Sequence, residues 1–471
     1  MRTIDQIYID GAFVTPHGEE IADLFNPATE ARIGTVRLGD EVDAQAAVAA
    51  ARRAFPAFSR TSKAERIDML RRLHAAVSAR PQELAAVMTE EYGAPGPVVG
   101  FSVPHAAQVF LDMALTLEAY DFSRTIGRAE VTMQPLGVVA AITPWNSNYG
   151  FICGKLATAI AAGCTIVIKP SEMSATQTQV LTERLHAAGL PAGVFNIVNG
   201  RGEVVGAALS RHPDVAKLSF TGSTAVGREI LRTGAETFKR VTLELGGKGP
   251  NIILDDADLD AAIPTVLMSG FGNSGQACIA GTRVLVSQAR LPEVLARLKA
   301  AVAGIQAGDP TDPATLVGPL VSQKQYDRVQ GYIRLGLEEG AQLVAGGVGR
   351  PEGVERGWVV RPTVFSGVTN QMRIAREEIF GPVLSVIAYR DEAEAVAIAN
   401  DTAYGLQAYV QSGDPDHARA IADQLVSGRV AINGAPHEPL APFGGFKQSG
   451  IGREYGVFGL ESHLEPRAVI S

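Results

Sequence analysis

Apolar residues return at helical spacing in two stretches near the start of the chain, residues 41–54 and 62–79. Side chains three or four positions apart share one face of a helix, so we predict an amphipathic helix in each stretch. Pro81 follows the second stretch and is expected to end it, because proline is disfavoured inside a helix. After an extended start, the first hundred residues are therefore predicted to be largely helical.

Short continuous apolar runs take over from about residue 131. The predicted strands of a first series are residues 138–142, 165–169, 194–198 and 217–220, with helices after residue 148 and from residues 174 and 225. A second series begins near residue 250 and has predicted strands at residues 282–286, 383–389 and 428–432. Strands that alternate with helices form mostly parallel sheets covered by helices. The fold class is therefore predicted to be α/β, with two doubly wound domains.

The last residues of the chain, 463–470, alternate enough to form a lone strand. A lone strand needs the edge of a sheet with which to pair. An edge on a second subunit is one solution.

Length and charge exclude several classes of protein. The chain has 471 residues, which is more than one hydrophobic core usually supports, so two or three domains are expected. A net charge of −8, without a basic run, makes nucleic acid an unexpected partner. The N-terminus lacks a signal-peptide pattern, and the apolar stretch 156–168 is shorter than the roughly 20 residues that span a bilayer. We expect a cytoplasmic protein without a membrane partner.

Cysteine and histidine spacing argues against disulfides and metal. The three cysteines, Cys153, Cys164 and Cys278, form no CxxC pair, and the eight histidines include no HExxH pattern. No metal site is expected.

Cys278 lies in the sequence GNSGQACIAGTR, which is dense in glycine, asparagine, serine and glutamine. Small flexible residues let a substrate and backbone N–H groups approach the sulfur, which favours a nucleophile. A free thiol has a pKa of about 8.5 and needs nearby dipoles or a base to react well at neutral pH. The alternative is a buried structural cysteine, which we prefer for Cys153 and Cys164 because they lie among apolar residues.

Two polar residues follow predicted strands and are candidates for catalysis. Glu244, in TLELGGKGPN, could act as a general base for water, although a loop-capping or salt-bridging role is equally compatible with the sequence. Asn146, in TPWN, could donate to an oxyanion, and its alternative role is to cap the following helix.

Two further strand ends have features of a dinucleotide site. The segment FTGSTAVGREI places Gly222, Thr224 and Gly227 between a strand and a helix, where N–H groups and the helix dipole favour a pyrophosphate. Lys169 and Glu172 follow another strand end, and a surface turn is the alternative there.

Taken in order, seven motifs resemble those of the aldehyde dehydrogenase superfamily. They are TPWN (143–146), KPSE (169–172), FTGST (220–224), ELGGK (244–248), GQACIAGTR (275–283), EEIFGPV (377–383) and PFGGFKQSG (442–450). The resemblance spans nearly the whole chain and implies three parts that form a homodimer or homotetramer. These are an NAD-binding domain (1–120 and 138–246), a catalytic domain (247–446) and a small β oligomerisation element (121–137 and 447–471).

The resemblance also implies a reaction, the oxidation of an aldehyde to a carboxylic acid with NAD(P) and water. The implied catalytic residues are Cys278, Glu244, Asn146 and Lys155. Cys278 would form a thiohemiacetal and then a thioester, Asn146 and the Cys278 N–H would hold the oxyanion, and Glu244 would activate the hydrolytic water.

The implied cofactor is NAD. The implied cofactor-binding residues are Thr143, Pro144, Trp145, Lys169, Ser171, Glu172, Gly222, Ser223, Gly227, Leu245, Glu378 and Phe380. A carboxylate at Glu172 would bind ribose hydroxyls and repel a 2′-phosphate, so NAD is favoured over NADP, whose use stays open.

One departure from the family pattern concerns the residues after Asn146, which read SNYGFICGK. Ser147 and Gly154 replace bulky side chains that many relatives carry, so we predict a wider or differently shaped aldehyde pocket, partly filled by Tyr149. Three rival functions are a CoA-acylating dehydrogenase, a non-catalytic relative and a cofactor-independent thioesterase. Glu244 argues against the first. The joint presence of Asn146, Glu244 and Cys278 argues against the second, and the cofactor motifs argue against the third.

Overall fold

The computed structural model describes residues 1–471 and contains 21 strands and 15 α-helices. The strands are β1 (Arg2–Ile4), β2 (Ile7–Ile9), β3 (Ala12–Val14), β4 (Ile21–Phe25), β5 (Arg32–Arg37), β6 (Ser123–Ile126), β7 (Ala129–Pro135), β8 (Val138–Ile142), β9 (Thr165–Lys169), β10 (Phe195–Ile197), β11 (Val215–Thr221), β12 (Arg240–Glu244), β13 (Pro250–Ile253), β14 (Arg283–Ser287), β15 (Gln342–Ala345), β16 (Thr363–Ser366), β17 (Val383–Tyr389), β18 (Gln407–Gln411), β19 (Arg429–Ile432), β20 (Gly450–Ile451) and β21 (Leu464–Ile470).

The helices lie between these strands. They are α1 (Glu41–Phe58), α2 (Lys63–Ser78), α3 (Pro81–Val87), α4 (Gly96–Ala119), α5 (Asn148–Ala162), α6 (Ala175–Ala187), α7 (Ala207–Arg211), α8 (Thr224–Ala235), α9 (Leu259–Phe271), α10 (Leu291–Ala303), α11 (Gln323–Glu338), α12 (Arg373–Arg376), α13 (Glu392–Asn400), α14 (Pro415–Ala422) and α15 (Gly456–Glu461).

The two helices predicted first begin at reciprocal side-chain caps. Asp40 and Asp43 cap α1, and Ser62 and Glu65 cap α2 in the same way, so that free N–H groups of each first turn gain acceptors. Helix α2 ends before Pro81, as predicted, but Pro81 then opens α3. The expectation of a largely helical first hundred residues needs correction, because five short strands precede α1.

The first large sheet has the strand order β20-β12-β11-β8-β9-β10-β2-β3. Five adjacent strands in the middle of this sheet run parallel: β12, β11, β8, β9 and β10. The outer strands β20, β2 and β3 are antiparallel to their neighbours. The chain leaves β8 in one direction towards β9 and later returns to its other side with β11, so the order reverses between these two strands. In open α/β sheets a ligand crevice lies outside the carboxyl ends of the strands at such a point.

The second large sheet has the order β15-β16-β17-β14-β13-β18-β19. All pairs in it are parallel except β15 with β16. Two parallel, helix-covered sheets confirm the predicted α/β class with two doubly wound units. A small additional sheet, β1-β5-β4, lies near the N-terminus and was not predicted.

The C-terminal strand pairs within its own chain. Strand β21 runs antiparallel to β7 from Leu464 opposite Pro135 to Ile470 opposite Ala129, and β6 completes the three-stranded sheet. A second subunit is therefore not needed to pair this strand. Strand β20, which the predicted boundaries placed in the same element, pairs instead with β12 of the first large sheet.

Helix α4 is long and apolar enough, by length and composition, to cross a bilayer, and our sequence analysis overlooked it. In this fold it is a core helix that packs against α2 and α5. Phe110 and Leu117 on its inner face are completely buried in the largest hydrophobic cluster, which also contains Ile152 and Leu156 of α5. This packing anchors α5, whose first turn follows the candidate residue Asn146.

Candidate active site

Cys278 lies in the loop that joins α9 to β14, against the segment that follows β12. A Cβ atom on Gly247 would lie 2.2 Å from the Cys278 carbonyl oxygen, so only glycine allows this close approach of the two backbones. Burial, together with the Glu378 and Glu244 carboxylates, raises the pKa of the Cys278 thiol to about 12. The N–H groups of Cys278 and Ile279 act in the opposite direction. These N–H groups provide the dipoles that a nucleophilic sulfur requires.

The loop before Cys278 is held by a hydrogen-bond network that our sequence analysis missed. Asn273 has a left-handed backbone (φ 55°), a conformation in which asparagine is enriched. Its side chain donates to the carbonyls of Asn146 (3.1 Å) and Gln276 (3.2 Å), and its own oxygen accepts from the Tyr92 hydroxyl (2.9 Å). The Gln276 side chain accepts from the N–H of Val321 (3.0 Å). The run of asparagine, serine and glycine before the cysteine was the available signal for this turn.

Asn146 is brought to the same loop. Its Nδ2 donates to the Gln276 carbonyl at 2.9 Å, two residues before Cys278. Ser147, not Asn146, stands at the N-cap of α5, so the capping alternative does not describe this side chain. One N–H of the Asn146 amide thus fixes its orientation, and the other remains free for a ligand.

Glu244 ends β12 and is almost completely buried. Neither carboxylate oxygen has a hydrogen-bond partner, and the side chain forms no ion pair. Glu244 therefore has neither the loop-capping nor the salt-bridging role that the sequence left open. Burial raises the pKa of Glu244 well above its ordinary value; Glu454 adds to the rise, and Lys155 and Arg453 oppose it. A buried carboxyl with a raised pKa and free oxygens is suited to accept a proton near neutral pH.

Lys155 lies in a polar cluster behind Glu244 and is not in contact with the thiol. Its ammonium group donates to the Ser219 hydroxyl (2.8 Å) and forms an ion pair with Glu454. Glu454 is a further residue that sequence analysis missed. The Lys155–Glu454 pair acts on the site through charge, since both groups influence the pKa of Glu244.

The crevice between β8 and β11 contains the predicted dinucleotide residues. Gly222 follows β11 directly, and Ser223 caps α8 by accepting from the Val226 N–H (3.4 Å). A Cβ on Gly227 would lie 2.7 Å from the Leu245 side chain, so this glycine lets α8 pack on Leu245. The N-terminal end of α8 thus follows β11 at the point where the strand order reverses, and such a position fits a pyrophosphate.

The adjoining strand ends form the rest of the crevice. The Thr143 N–H donates to the Lys169 carbonyl (3.0 Å), and the Thr143 hydroxyl is buried without a partner. Pro144 is half-buried beside Trp145, and the Ser171 hydroxyl accepts from the Met173 N–H (3.3 Å). These observations place the loops after β8 and β9 side by side.

Glu172 lies between two cations. Its carboxylate is 3.4 Å from the Lys169 ammonium and 3.4 Å from the Arg201 guanidinium, and Arg201 also pairs with Glu20. Burial lowers the pKa of Lys169, and Glu172 opposes that shift. Arg201 is a third residue that sequence analysis missed. A carboxylate fixed in this way at the end of β9 fits the hydroxyls of a ribose.

Glu378 and Phe380 connect the cofactor crevice with the thiol. Glu378 accepts from the Gly247 N–H at 3.0 Å, and burial raises its pKa. Phe380 has a left-handed backbone (φ 63°), and its ring meets Trp145 edge to face with centroids 5.5 Å apart. Glu378 therefore lies against the Gly247 backbone next to Cys278, and Phe380 lies against Trp145, the residue before Asn146. These contacts connect predicted cofactor residues with the predicted catalytic residues.

Tyr149 does not fill part of the aldehyde pocket, contrary to our prediction. Its side chain is completely buried in the main core, and its hydroxyl donates to the Leu84 carbonyl (3.0 Å). Gly154 does face a cavity, where a Cβ would lie 3.8 Å from the Tyr455 ring. Gly154 lies five residues after Tyr149, about 140° further around the helix axis at 3.6 residues per turn. The side chain of Tyr149 therefore points away from the cavity that Gly154 faces.

Comparison with known proteins agrees with this geometry. The model of the aldehyde dehydrogenase family matches residues 13–469. A 3-succinoylsemialdehyde-pyridine dehydrogenase from Pseudomonas sp. is 48% identical over 474 residues, which cover 100% of this chain and 99% of that protein.

Two solved structures are similar over nearly their whole length. A mutant of aldehyde dehydrogenase C from Pseudomonas syringae, in complex with NAD⁺ and octanal, is 46% identical with a TM-score of 0.97, covering 99% of this chain and 96% of that one. An aldehyde dehydrogenase from Mycobacterium tuberculosis, in complex with NAD⁺, is 40% identical with a TM-score of 0.97, covering 100% and 98%. The chain therefore belongs to the aldehyde dehydrogenase family and is an enzyme that oxidises aldehydes.

Proposed function

We propose that this chain oxidises an aldehyde to its carboxylic acid with NAD and water, through a thioester on Cys278. The observation that carries this proposal is the proximity of Cys278, Asn146 and the unpartnered Glu244, each of which lies in a motif of the aldehyde dehydrogenase family. The NAD⁺ complexes of the two similar structures support the cofactor. The substrate is a small molecule, an aldehyde.

The reaction begins when the Cys278 thiol loses its proton to solvent water and the resulting thiolate attacks the aldehyde carbon. The carbonyl π pair moves to oxygen, and the resulting oxyanion accepts hydrogen bonds from the free N–H of Asn146 and the backbone N–H of Cys278. NAD⁺ supplies the hydride acceptor when bound, and loss of hydride from the adduct leaves a thioester. Cys278 thereby keeps the acyl group away from solvent until water is activated.

Glu244 completes the reaction by hydrolysis. Its carboxylate takes a proton from water while the water oxygen attacks the thioester carbon, and departure of the sulfur releases the acid and restores Cys278. Lys155 and Glu454 act as positioning residues, because they set the charge that Glu244 experiences and do not touch the substrate. Hydrolysis without CoA distinguishes this mechanism from that of an acylating dehydrogenase.

We expect Asn146→Ala to lower kcat by about 100- to 1000-fold, because one donor to the oxyanion is lost. KM for the aldehyde should change little, since the oxyanion forms only after attack. Steady-state NADH formation at 340 nm measures both constants. Ser147→Ala, which alters the neighbouring N-cap residue without a side-chain cap to lose, serves as the control. An equal loss in both variants, or a loss confined to KM, would contradict this role for Asn146.

We expect Glu172→Gln to raise the preference for NADP over NAD by about 10-fold or more, because a repulsive charge is removed. Arg201, now free of one carboxylate, would attract the 2′-phosphate. The ratio of kcat/KM for the two cofactors is the measurement, and Glu293→Gln on the exposed surface of α10 is the charge-matched control. An unchanged ratio in Glu172→Gln would show that Glu172 is not at the 2′-hydroxyl.

The domain boundaries and the assembly are also proposals. The first sheet with its helices would form the NAD-binding domain, the second sheet the catalytic domain, and β6, β7 and β21 the oligomerisation element. The outer edge of β21 is unpaired, and Val469 and Ile470 on it are exposed. A homodimer or homotetramer would cover such an edge. Three free thiols are compatible with the reducing cytoplasm.

A further inference from the structure

Arg429, the first residue of β19, is a partly buried cation without an anionic partner. Its Nη1 donates to Nδ1 of His437 at 2.7 Å, and its guanidinium carbon lies 5.4 Å from the centre of the Phe443 ring. It forms no ion pair with any carboxylate of the chain. Because His437 accepts this bond, its ring is neutral and cannot balance the charge. Partial burial of an uncompensated cation is costly for a protein, which favours a ligand that supplies the missing anion.

The sheet register directs Arg429 towards the reaction centre. Arg429 pairs with Gln407 and Ala431 pairs with Tyr409, so Arg429 and Tyr409 share one face of the sheet. The Tyr409 hydroxyl donates to the carbonyl of Ile279 at 2.8 Å, directly after Cys278. Burial lowers the pKa of Arg429, and the neighbouring groups Tyr409, Tyr455 and Cys278 oppose that shift. The guanidinium thus lies within electrostatic reach of the catalytic sulfur.

His437, which accepts the hydrogen bond from Arg429, lines a cavity that also borders Gly154 in the segment after Asn146. The His437 ring packs against Tyr455 (centroids 5.5 Å apart) and His105 (6.4 Å), and all three residues line one cavity with Gly154. Tyr455 is influenced electrostatically by both Glu244 and Cys278. Gly154 thus faces a cavity whose wall includes His437, and the Arg429 guanidinium is hydrogen-bonded to that ring.

We propose that Arg429 is a specificity-determining residue that binds a carboxylate on the aldehyde substrate, so that this enzyme prefers semialdehydes to uncharged aldehydes. The inference rests on the proposed function and names its substrate class. A guanidinium can bind a carboxylate through two parallel hydrogen bonds, and His437 holds it from one side so that Nε and Nη2 remain available.

Asp112 on α4 lines the same cavity from the opposite element. Its Oδ1 accepts from Gln108 (2.9 Å), and its Oδ2 is buried without a partner. This carboxylate repels an anion on the α4 side. A substrate carboxylate is therefore expected on the side of His437 and Arg429 rather than beside Asp112.

The test compares matched aldehydes with wild type, Arg429→Met and Arg429→Lys. Succinic and glutaric semialdehydes are paired with butanal and pentanal, which have the same chain lengths without the carboxylate. The uncharged aldehyde 4-oxopentanal carries a second, polar carbonyl group in place of a carboxylate. We expect wild type to prefer the semialdehydes and Arg429→Met to lose about 100-fold in kcat/KM with them, mostly through KM, with less than about a 3-fold change for pentanal. Arg429→Lys should recover part of the loss, since lysine restores the positive charge but cannot form the two parallel hydrogen bonds of a guanidinium. Arg419→Met, at an exposed arginine of α14, is the control.

An equal effect of Arg429→Met on both aldehyde classes, or a wild-type preference for pentanal or 4-oxopentanal, would overturn the proposal. A second measurement applies if the Arg429→Met variant fails to fold or has no activity. Glutarate should slow the alkylation of Cys278 by iodoacetamide in wild type, and 1,5-pentanediol should not. If no aldehyde is oxidised with either cofactor, the proposed function fails, whereas protection by glutarate still decides whether this pocket binds carboxylates.

Discussion

Cys278→Ala is expected to abolish aldehyde oxidation, with a decrease in kcat of about 10⁵-fold or to below detection. The reason is that no thiohemiacetal forms without the sulfur, so hydride transfer has no activated donor. The measurement is NADH formation at 340 nm, without CoA, over short-chain, long-chain, aromatic and semialdehyde substrates. Cofactor binding should persist, because Cys278 is not one of the predicted cofactor-binding residues. Retention of full activity in this variant would refute the thioester mechanism.

Cys153→Ala is the matched control for this experiment. Cys153 is completely buried in the main core, and burial raises the pKa of its thiol. Its replacement should cost about 1 kcal/mol of stability and leave turnover intact. A comparable loss of activity in both variants would mean that Cys278→Ala acts through folding rather than through chemistry.

The pH dependence of alkylation examines the same thiol independently. Because its pKa is raised to about 12, the cofactor-free protein holds little thiolate at pH 7. The rate of reaction of Cys278 with iodoacetamide should therefore still be rising at pH 9, above the ordinary thiol pKa of about 8.5. A rate that levels off near pH 8 would show that the resting thiol is not desolvated in this way.

The parts of the fold that were predicted correctly are those that depend on local pattern. Strands β8, β9 and β17 begin and end at the predicted residues, because a buried parallel strand is a short continuous apolar run. Strands β1 and β4 were missed because most of their side chains are exposed, and β5 was missed because its alternation of buried and half-buried residues includes few large apolar side chains. The pairing of β21 with β7 joins segments more than 300 residues apart, so no local pattern indicated it, and only the family resemblance grouped the two segments in one β element.

The residues of the site divide in the same way, into those that a local sequence pattern indicates and those that depend on distant contacts. Asn146 and Glu244 lie at strand ends, and these two residues and Cys278 all lie in motifs that can be read locally, so the sequence indicated them before their geometry was known. The supporting residues act through distant contacts: Glu454 pairs with Lys155 across 299 positions, and Tyr92 binds Asn273 across 181. Arg429 and Arg201 likewise belong to no motif. Spacing carries no signal for such contacts, because only the folded chain brings these side chains together.

Glu244→Gln is expected to separate the two halves of the reaction. Thioester formation needs Cys278 and Asn146 and should continue, whereas hydrolysis loses its base and should slow by about 100- to 10,000-fold. Rapid mixing with aldehyde and NAD should then give a burst of one NADH per active subunit, followed by slow turnover. Mass spectrometry should find the acyl group on Cys278.

The pH profile of turnover distinguishes this role from a structural one. Since the pKa of Glu244 is raised, wild-type hydrolysis should fall as the pH drops through that pKa, because the protonated carboxyl cannot accept a proton from water. Glu244→Gln should lose this dependence, and Glu461→Gln, at a glutamate on the exposed face of α15, should keep both the profile and the rate. A Glu244→Gln enzyme that is slow without a burst would place the role of Glu244 before the thioester, as the base that deprotonates Cys278.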